Sequence, residues 1–577
     1  MIPFLNINGN LRFNYIFQPK LQELLKLVNF TPMNLKIVFV IFSLLYCSMA
    51  FADPMVTSGS LAGILSKERS WFDVIRYDLS VEVDIDQKSI KGRNRMEYVV
   101  KYPHRIMQVD LQYPMKMDSI TANGKQLKYI KKGYAYLVDI PDDQPAGSIQ
   151  AVDLFFSGIP HEAENAPWDG GWVWSRDDQG NPFIATACQG LGASSWWPCK
   201  DHPSDEPDKG MTISVRIPGN SDLMAVSNGR LIRSQELENL MKEFVWEVKS
   251  PINNYGVNIN IGKYTEHTEV YKGLKGNLSC TYYFLPAHKN AALRQFTQVP
   301  LMLAAFEYWM GPYPFYEDGY KLVEVPYLGM EHQSSVTYGN GFNNGYQGTD
   351  LSGTGWGMKF DFIIIHESAH EWFANNITNN DVAHMWVHES FTSYAENLFL
   401  DYYYGKEAAA EYVIGTRKNI MNDIPLVGIE GRNQRGSSID MYYKGANVLH
   451  TLRKVIADDT LWRQVLTGLN QQFYHQTVTT TQVTEYISQQ TGQQLTPFFK
   501  QYLYTIRIPC FEYQIKGREL RYKWSSVVKG FDMKIEVRVN GNSVMLSPSR
   551  KCKKYKSSDP IQTVETDRNY YIETKKR

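Results

Sequence analysis

Cysteine is scarce in this chain, six in 577 residues. One, Cys47, sits in an apolar stretch near the N-terminus; the other five, Cys188, Cys199, Cys280, Cys510 and Cys552, are scattered and odd in number. That distribution excludes a disulfide framework and leaves room for an isolated bridge, for which Cys188 and Cys199 are the nearest pair. An excess of one charge is also missing: Lys+Arg and Asp+Glu are both 60. No strong field therefore points to nucleic acid or an anionic membrane as the main partner. The local basic run "RKCKKYK" at 550–556 reads as a solvated strand edge or turn. Repeats and low-complexity tracts are absent, and past the N-terminal stretch no apolar run approaches the roughly 18 residues of a membrane span.

What is present is the material for large cores. The chain is 43% hydrophobic, with 37 Tyr and 13 Trp, and its length predicts three or four units at about 150 residues each. From Met33 it reads "MNLKIVFVIFSLLYCSMAFADP", a short start with one Lys, an apolar run from Ile37 to Tyr46 and a small-x-small end at Ala50-Phe51-Ala52. This is the pattern of a secretory signal peptide over 33–52, cleaved after Ala52. It makes Met33 the expected start, residues 1–32 a gene-model extension, and the mature protein periplasmic or extracellular. Lipid attachment at Cys47 is the alternative, and Tyr46 before it is a poor fit to the small residue expected there.

From Tyr77, "YDLSVEVDID" alternates Leu79, Val81, Val83 and Ile85 with polar residues, and "MTISVRIP" and "GVNINIG" repeat the period. Residues 70–265 thus read as a β-rich domain. Helical segments follow over 270–505: "AALRQFTQVPLMLAAFEYWM", "FDFIIIHESAHEWFANN", "ESFTSYAENLFLDYYY", "GANVLHTLRKVI" and "TPFFKQYLYT". Between the first two lies "YKLVEVPYLGMEHQSSVTYG", read as strands with a Gly break. Residues 506–577 return to strands, with "MKIEVRVNGNSVML" a hairpin turning at Asn540-Gly541.

The chemistry concentrates at "HESAHEW", residues 366–372. On a helix, i and i+4 share a face, so His366 and His370 both present an imidazole to one ion. Glu389 follows His370 after 18 residues, enough for a turn and a returning helix. Two imidazoles and a carboxylate are the ligand set of a catalytic Zn2+ whose fourth position is left to water, whereas a structural zinc would close its tetrahedron with a fourth protein ligand, usually Cys. Glu367, not needed as a ligand, is placed to take the proton of that water. Glu396, two turns after Glu389, falls on the same helix face and is a candidate partner for a ligand histidine. His384, His388 and Glu371 read as surface or supporting groups rather than ligands.

The pattern HExxH-x18-E, with "WVHESF" around Glu389, "LGMEHQ" at 328–333 and "YYKG" at 442–445, resembles the M1 family of zinc aminopeptidases, gluzincins, and "CQGLGASSWWPCKD", "WMGPYPF" and "DGYKLVEVP" resemble its secreted bacterial branch. The resemblance implies a multi-domain α+β fold: a β-rich N-terminal saddle domain, a thermolysin-like, mainly helical catalytic domain and a short C-terminal β domain, without the large helical C-terminal domain of longer relatives. It implies one Zn2+ per chain and peptide substrates with a free N-terminus. By the same resemblance Glu331 pairs with the substrate amine, Gln189 assists it, Gly329 and Met330 meet the substrate backbone, and the Tyr442 hydroxyl stabilises the oxyanion. Three positions depart from the family pattern: Leu328 and His332 replace the Gly and Asn flanking the motif, and Ala374 stands where relatives often carry Gly. The competing readings are a relative that opens a lipid epoxide with the same zinc set, and a zinc-free, inactive scaffold that binds peptides or proteins.

Overall fold

In a computed structural model of the chain, residues 64–577 are described apart from 141–143, 220–221, 239 and 432–437. The leader at 33–52, the extension before it and Cys47 lie outside the described residues. No helix among the described residues is long and apolar enough to cross a membrane.

The alternation from Tyr77 becomes the strand Phe72–Asp84, with Leu79, Val81 and Val83 buried. It pairs antiparallel with Ser89–Val100 and parallel with Met211–Pro218, in a sheet of eight strands among the described residues. One core packs this sheet on a second, smaller one: Val81, Ile213 and Trp246 meet Ile184, Ala185 and Ile261. The period-2 reading of "GVNINIG" is only partly right. Just Asn260–Gly262 is strand, and Val257 to Ile261 are all fully buried. The polar members face inward, Asn258 Nδ2 donating to Ser335 O (3.2 Å) and Asn260 Nδ2 to Val226 O (3.4 Å), so alternation here marks buried asparagines whose amide N–H groups are met by backbone carbonyls.

A five-stranded sheet leads into the helical part, in the order Thr265–Gly273, Gly276–Phe284, Tyr320–Glu324, Val336–Tyr338, Gly329–Met330. Its last strand is two residues long, so Glu331 leaves from the edge. The first expected helix is two, Lys289–Gln295 and Gln298–Met310; the second carries Pro300 in its first turn, where a missing N–H costs nothing. The other helices stand as Phe362–Ala369, Trp386–Tyr404, Asp440–Ile456 and Thr496–Leu503. Three more, Lys406–Gly415, Asp459–Gln472 and Thr480–Thr491, were not singled out in the sequence.

Beyond Cys510 the chain is strands again. The hairpin Ile535–Val539 with Asn542–Leu546 turns through Asn540 (φ 50°) and Gly541 (φ 81°), the paired positive φ of a type I′ turn. The basic run supplies the exposed strand Lys553–Lys556, paired on one side to Glu519–Ser525. No disulfide joins Cys188 and Cys199; both are buried, and Cys188 Sγ donates to the Tyr255 carbonyl at 3.4 Å. The architecture is a β-rich N-terminal domain followed by a mainly helical one.

Candidate active site

The HExxH helix begins at an N-cap: Asp361 Oδ1 accepts from the backbone N–H of Ile363 and Ile364 at 3.0 and 3.3 Å. It does not run on through "EWFANN" as the sequence suggested. It ends at His370, and the chain then departs from helical geometry at Phe373 (φ −128°) and Ala374 (φ 152°). The bend turns the Phe373 carbonyl back to within 3.0 Å of His370 Nδ1. Ala374 therefore holds a backbone conformation that suits Gly, which leaves strain here.

Glu389 lies in the first turn of Trp386–Tyr404. His366, His370 and Glu389 converge, one donor atom from each within 4.8 Å of the others. Glu389 Oε2 is 3.6 Å from His366 Nε2 and 3.4 Å from His370 Nε2, too long for good hydrogen bonds. It matches donors sharing one tetrahedral centre: at about 2.0–2.1 Å from zinc, two ligand atoms stand about 3.3 Å apart. Both Nδ1 atoms are engaged elsewhere. His366 Nδ1 is 2.7 Å from Glu396 Oε1, whose other oxygen accepts from the Tyr412 hydroxyl at 2.5 Å. His370 Nδ1 is 3.0 Å from both Phe373 O and Thr392 Oγ1. Each ring thus turns Nε2 inward. Glu389 Oε2 and Glu367 Oε1 are buried with no hydrogen-bond partner, an arrangement that costs free energy unless a cation or a water completes it. The donor set and its charge fit Zn2+.

The electrostatics agree. Burial works against protonated imidazole, yet Glu389 and Glu396 outweigh it at His366 and push it up to about 10, and Glu389 with Glu331 pushes His370 up to about 9. Glu389 is held well below the carboxylate range despite its burial, chiefly by the charge of His370 and the close approach of both rings. This is a pocket that stabilises positive charge. Glu367 is raised by burial, partly offset by the two imidazoles.

Glu331, Glu367 and His370 form a second group of converging donors, again within 4.8 Å. Burial raises Glu331 to about 7, with His370 pulling the other way and Glu367 and Glu389 adding to the rise. Gln189, carried by the turn after strand Pro182–Ala187 of the β-rich domain, donates through Nε2 to Glu331 Oε1. Gly329 explains why its motif needs that residue: at φ +152°, an added Cβ would lie 2.6 Å from Ile363 Cγ2 and 2.8 Å from Thr337 O. The strand Gly329–Met330, from whose end Glu331 leaves, is thereby laid against the HExxH helix.

Tyr442 opens the helix Asp440–Ile456, and its ring centroid is 6.0 Å from that of His366. Burial, then the Glu389 charge, raises its phenol well above the ordinary value, and its hydroxyl bonds Glu389. The approach is fixed by Gly445, where an added Cβ would fall 1.8 Å from Ser390 Oγ, while that hydroxyl donates to Met441 O at 2.7 Å. Tyr443 packs inward.

His384, His388 and Glu371 are not surface groups. All are buried and outside the converging sets. Glu371 accepts from Tyr313 Oη and Ser334 N, His388 Nε2 from Asn379 N, and His384 Nδ1 meets Thr480 Oγ1. Sequence reasoning missed Thr392, Tyr412 and Asn375. Thr392, three residues past Glu389 on the same helix face, could have been found by periodicity; the other two come from elsewhere in the chain.

Two imidazoles and a glutamate from a second helix, with a further glutamate beside them, define a mononuclear zinc site of the gluzincin metallopeptidase type. Residues 74–255 match the description of the Peptidase M1 N-terminal domain and residues 298–502 that of the Peptidase family M1 domain. The chain belongs to peptidase family M1. It is 22% identical over 427 residues to endoplasmic reticulum aminopeptidase 1 of Mus musculus, covering 70% of this chain and 44% of that one. It is 22% identical over 390 residues to leukotriene A-4 hydrolase of Xenopus laevis (63% and 60%). The chain thus spans about half the length of the curated relatives it matches. In fold it is similar to an M1 zinc metallopeptidase from Deinococcus radiodurans solved with a Tyr-Ser-Ala substrate: TM-score 0.63 at 20% identity, covering 78% of this chain and 97% of that one.

Proposed function

We propose that this chain is a zinc aminopeptidase that removes N-terminal residues from peptides. The observation that carries the reading is the adjacency of the two converging groups, a zinc-ligand set sharing His370 with a buried Glu331 that Gln189 braces. HExxH chemistry is indifferent to where a scissile bond lies, so a separate group has to read the free terminus. An α-ammonium entering a closed cleft loses hydration, and a buried carboxylate restores it through a charge-assisted hydrogen bond. Glu331, with Gln189 as a neutral second acceptor, is that group, and Gly329 and Met330 meet the substrate backbone.

His366, His370 and Glu389 would hold the ion, with Glu396 fixing the His366 tautomer. The chemistry zinc supplies when bound is Lewis-acid polarisation of the carbonyl and a lowered pKa for the attacking water. Glu331 and Gln189 set the substrate so that its first carbonyl faces Glu367. Glu367 takes the water proton at its unpartnered Oε1 and returns it to the leaving amine. Tyr442 donates its hydroxyl to the carbonyl oxygen as that oxygen becomes negative.

The reading treats 70–265, 270–505 and 506–577 as the three structural units and the protein as exported through the leader at 33–52. A panel of aminoacyl fluorogenic substrates beside N-acetylated counterparts tests it. Free-amine substrates should be cleaved at least about a hundredfold better, because an acetylated terminus leaves Glu331 buried without its partner. Glu331→Ala should lose most of that ratio while keeping zinc. A ratio near one in the wild type, or Glu331→Ala within about threefold of wild type, would sink the reading.

A further inference from the structure

The equal totals of 60 basic and 60 acidic residues are not evenly spread: residues 506–577 hold 17 Lys+Arg against 8 Asp+Glu, and the rest of the chain carries the opposite excess. Balance over the whole chain thus conceals a local field. Much of that field is gathered on one sheet of the C-terminal strands, in the order Lys553–Lys556, Glu519–Ser525, Cys510–Lys516, Glu573–Lys576. Leu520, Tyr522 and Trp524 are buried on one side of it, so Glu519, Arg521 and Lys523 stand on the other. Register carries this outer face across the strands. Lys556 and Lys516 flank Glu519, Lys554 lies opposite Arg521, and Lys523 and Lys575 flank Glu512.

Two of the acids on this face lie beneath the bases. Glu512 and Glu519 keep 7% and 19% of their side chains exposed, whereas Arg577, Lys523, Arg521 and Lys554, which pair with them, keep 54%, 42%, 38% and 55%. Arg577 Nη2 is 2.8 Å from Glu512 Oε1, and Lys554 Nζ is 3.1 Å from Glu519 Oε2. Each carboxylate thus steadies cations that stand further out than itself, and solvent meets ammonium and guanidinium groups. Lys516, Lys556 and Lys575 are exposed and stand outside those pairs; Glu573, an exposed acid, sits at the margin of the face.

We propose that this face binds an anionic lipid surface, holding the protein peripherally through phosphate-bearing headgroups. The kind of partner follows from what the face lacks. None of the large apolar side chains exposed among the described residues lies on these four strands. There is therefore no aromatic platform on which single-stranded nucleic acid could stack its bases, and no apolar centre of the kind a protein interface takes. An open sheet face also brings no helix to a duplex groove. Lipid headgroups require none of these: a layer of phosphates is met by a layer of cations, each adding attraction within a Debye length. With export as proposed above, lipid is also the anionic surface within reach. The inference is independent of the peptidase reading.

The test is co-sedimentation of the full chain with vesicles. At about 0.05 M salt, binding to about 30% phosphatidylglycerol in phosphatidylcholine should exceed binding to phosphatidylcholine alone by at least about tenfold, and the excess should vanish by about 0.5 M. Phosphatidylcholine alone reports what the apolar leader contributes. Lys516→Gln, Lys556→Gln and Lys575→Gln together should lower the binding to anionic vesicles by at least about tenfold. Lys125→Gln, Lys128→Gln and Lys132→Gln, the same change of charge on exposed positions of the β-rich domain, should leave it within about threefold. Wild-type unfolding temperatures check that both triple variants are folded. No preference for anionic vesicles, or equal loss in the two triple variants, would overturn the proposal. So would capture of a DNA duplex in preference to the vesicles, which would make nucleic acid the partner.

Discussion

The metal-ligand set and the proposed amine pocket share His370, yet they are held by different kinds of structure. The ligands stand on two helices, locked together by Glu396 on His366 and Thr392 on His370, and the helix bearing Tyr442 is set against the second by the approach of Gly445 to Ser390. The amine pocket is assembled from short pieces: the edge of a two-residue strand for Glu331, a turn of the β-rich domain for Gln189, and the bend after the HExxH helix for Asn375. On the proposed function, bond-breaking chemistry is thus placed on rigid local elements, and recognition of the chain end would depend on the β-rich and helical domains meeting correctly. Changes to the first set should show in kcat or metal affinity, and changes to the second in discrimination between termini.

The sharpest break of that division is Glu367→Gln, which should cost on the order of 10² to 10⁴ in kcat while zinc remains bound, since the residue acts as base and not as ligand. Metal analysis beside turnover checks it; a variant that purifies without zinc would move Glu367 into the ligand set. Tyr442→Phe comes next. Its hydroxyl serves charge present only in the transition state, so kcat should fall by the equivalent of about 3 kcal/mol with KM little changed. An unaltered kcat would put the oxyanion donor on another residue. The smallest effect belongs to Glu396→Gln, which touches neither substrate nor ion. Chelator competition should show zinc affinity weakened by roughly 10- to 100-fold, and an affinity equal to wild type would mean that the Glu396 contact does not tune His366.

The sequence made the helical half legible for a physical reason. His366, Glu367 and His370 are one turn apart, and Glu389 and Glu396 two turns apart, so local periodicity carries the geometry. The same logic missed what depends on backbone path. The helix was expected to continue past His370, but the break at Phe373 and Ala374 is what supplies the His370 Nδ1 acceptor. "GVNINIG" looked like an exposed-face strand because buried asparagines mimic polar-out alternation. For His384 and His388 the sequence left surface and supporting roles both open, because polarity alone does not separate solvent contact from a buried partner, and each is buried with a tertiary partner. Gln189 and Glu331 were reached through the family resemblance; their 142-residue separation leaves nothing local to read.

Gly445 sets a mechanical tolerance for the enzyme. A single methyl there would overlap Ser390 Oγ at 1.8 Å, and the helix bearing Tyr442 would have to back away from the helix bearing Glu389. Packed helices do not yield at one point without moving as bodies, so the displacement would be passed to both ends of the contact at once. A reacting oxygen would then lie between a fixed ion and a retreating hydroxyl, and misplacement by about 1 Å is enough to cost on the order of a hundredfold in rate. The smallest side chain in the motif therefore works as a spacer whose value is its absence of volume, and the catalytic distance is kept by an atom that is not there.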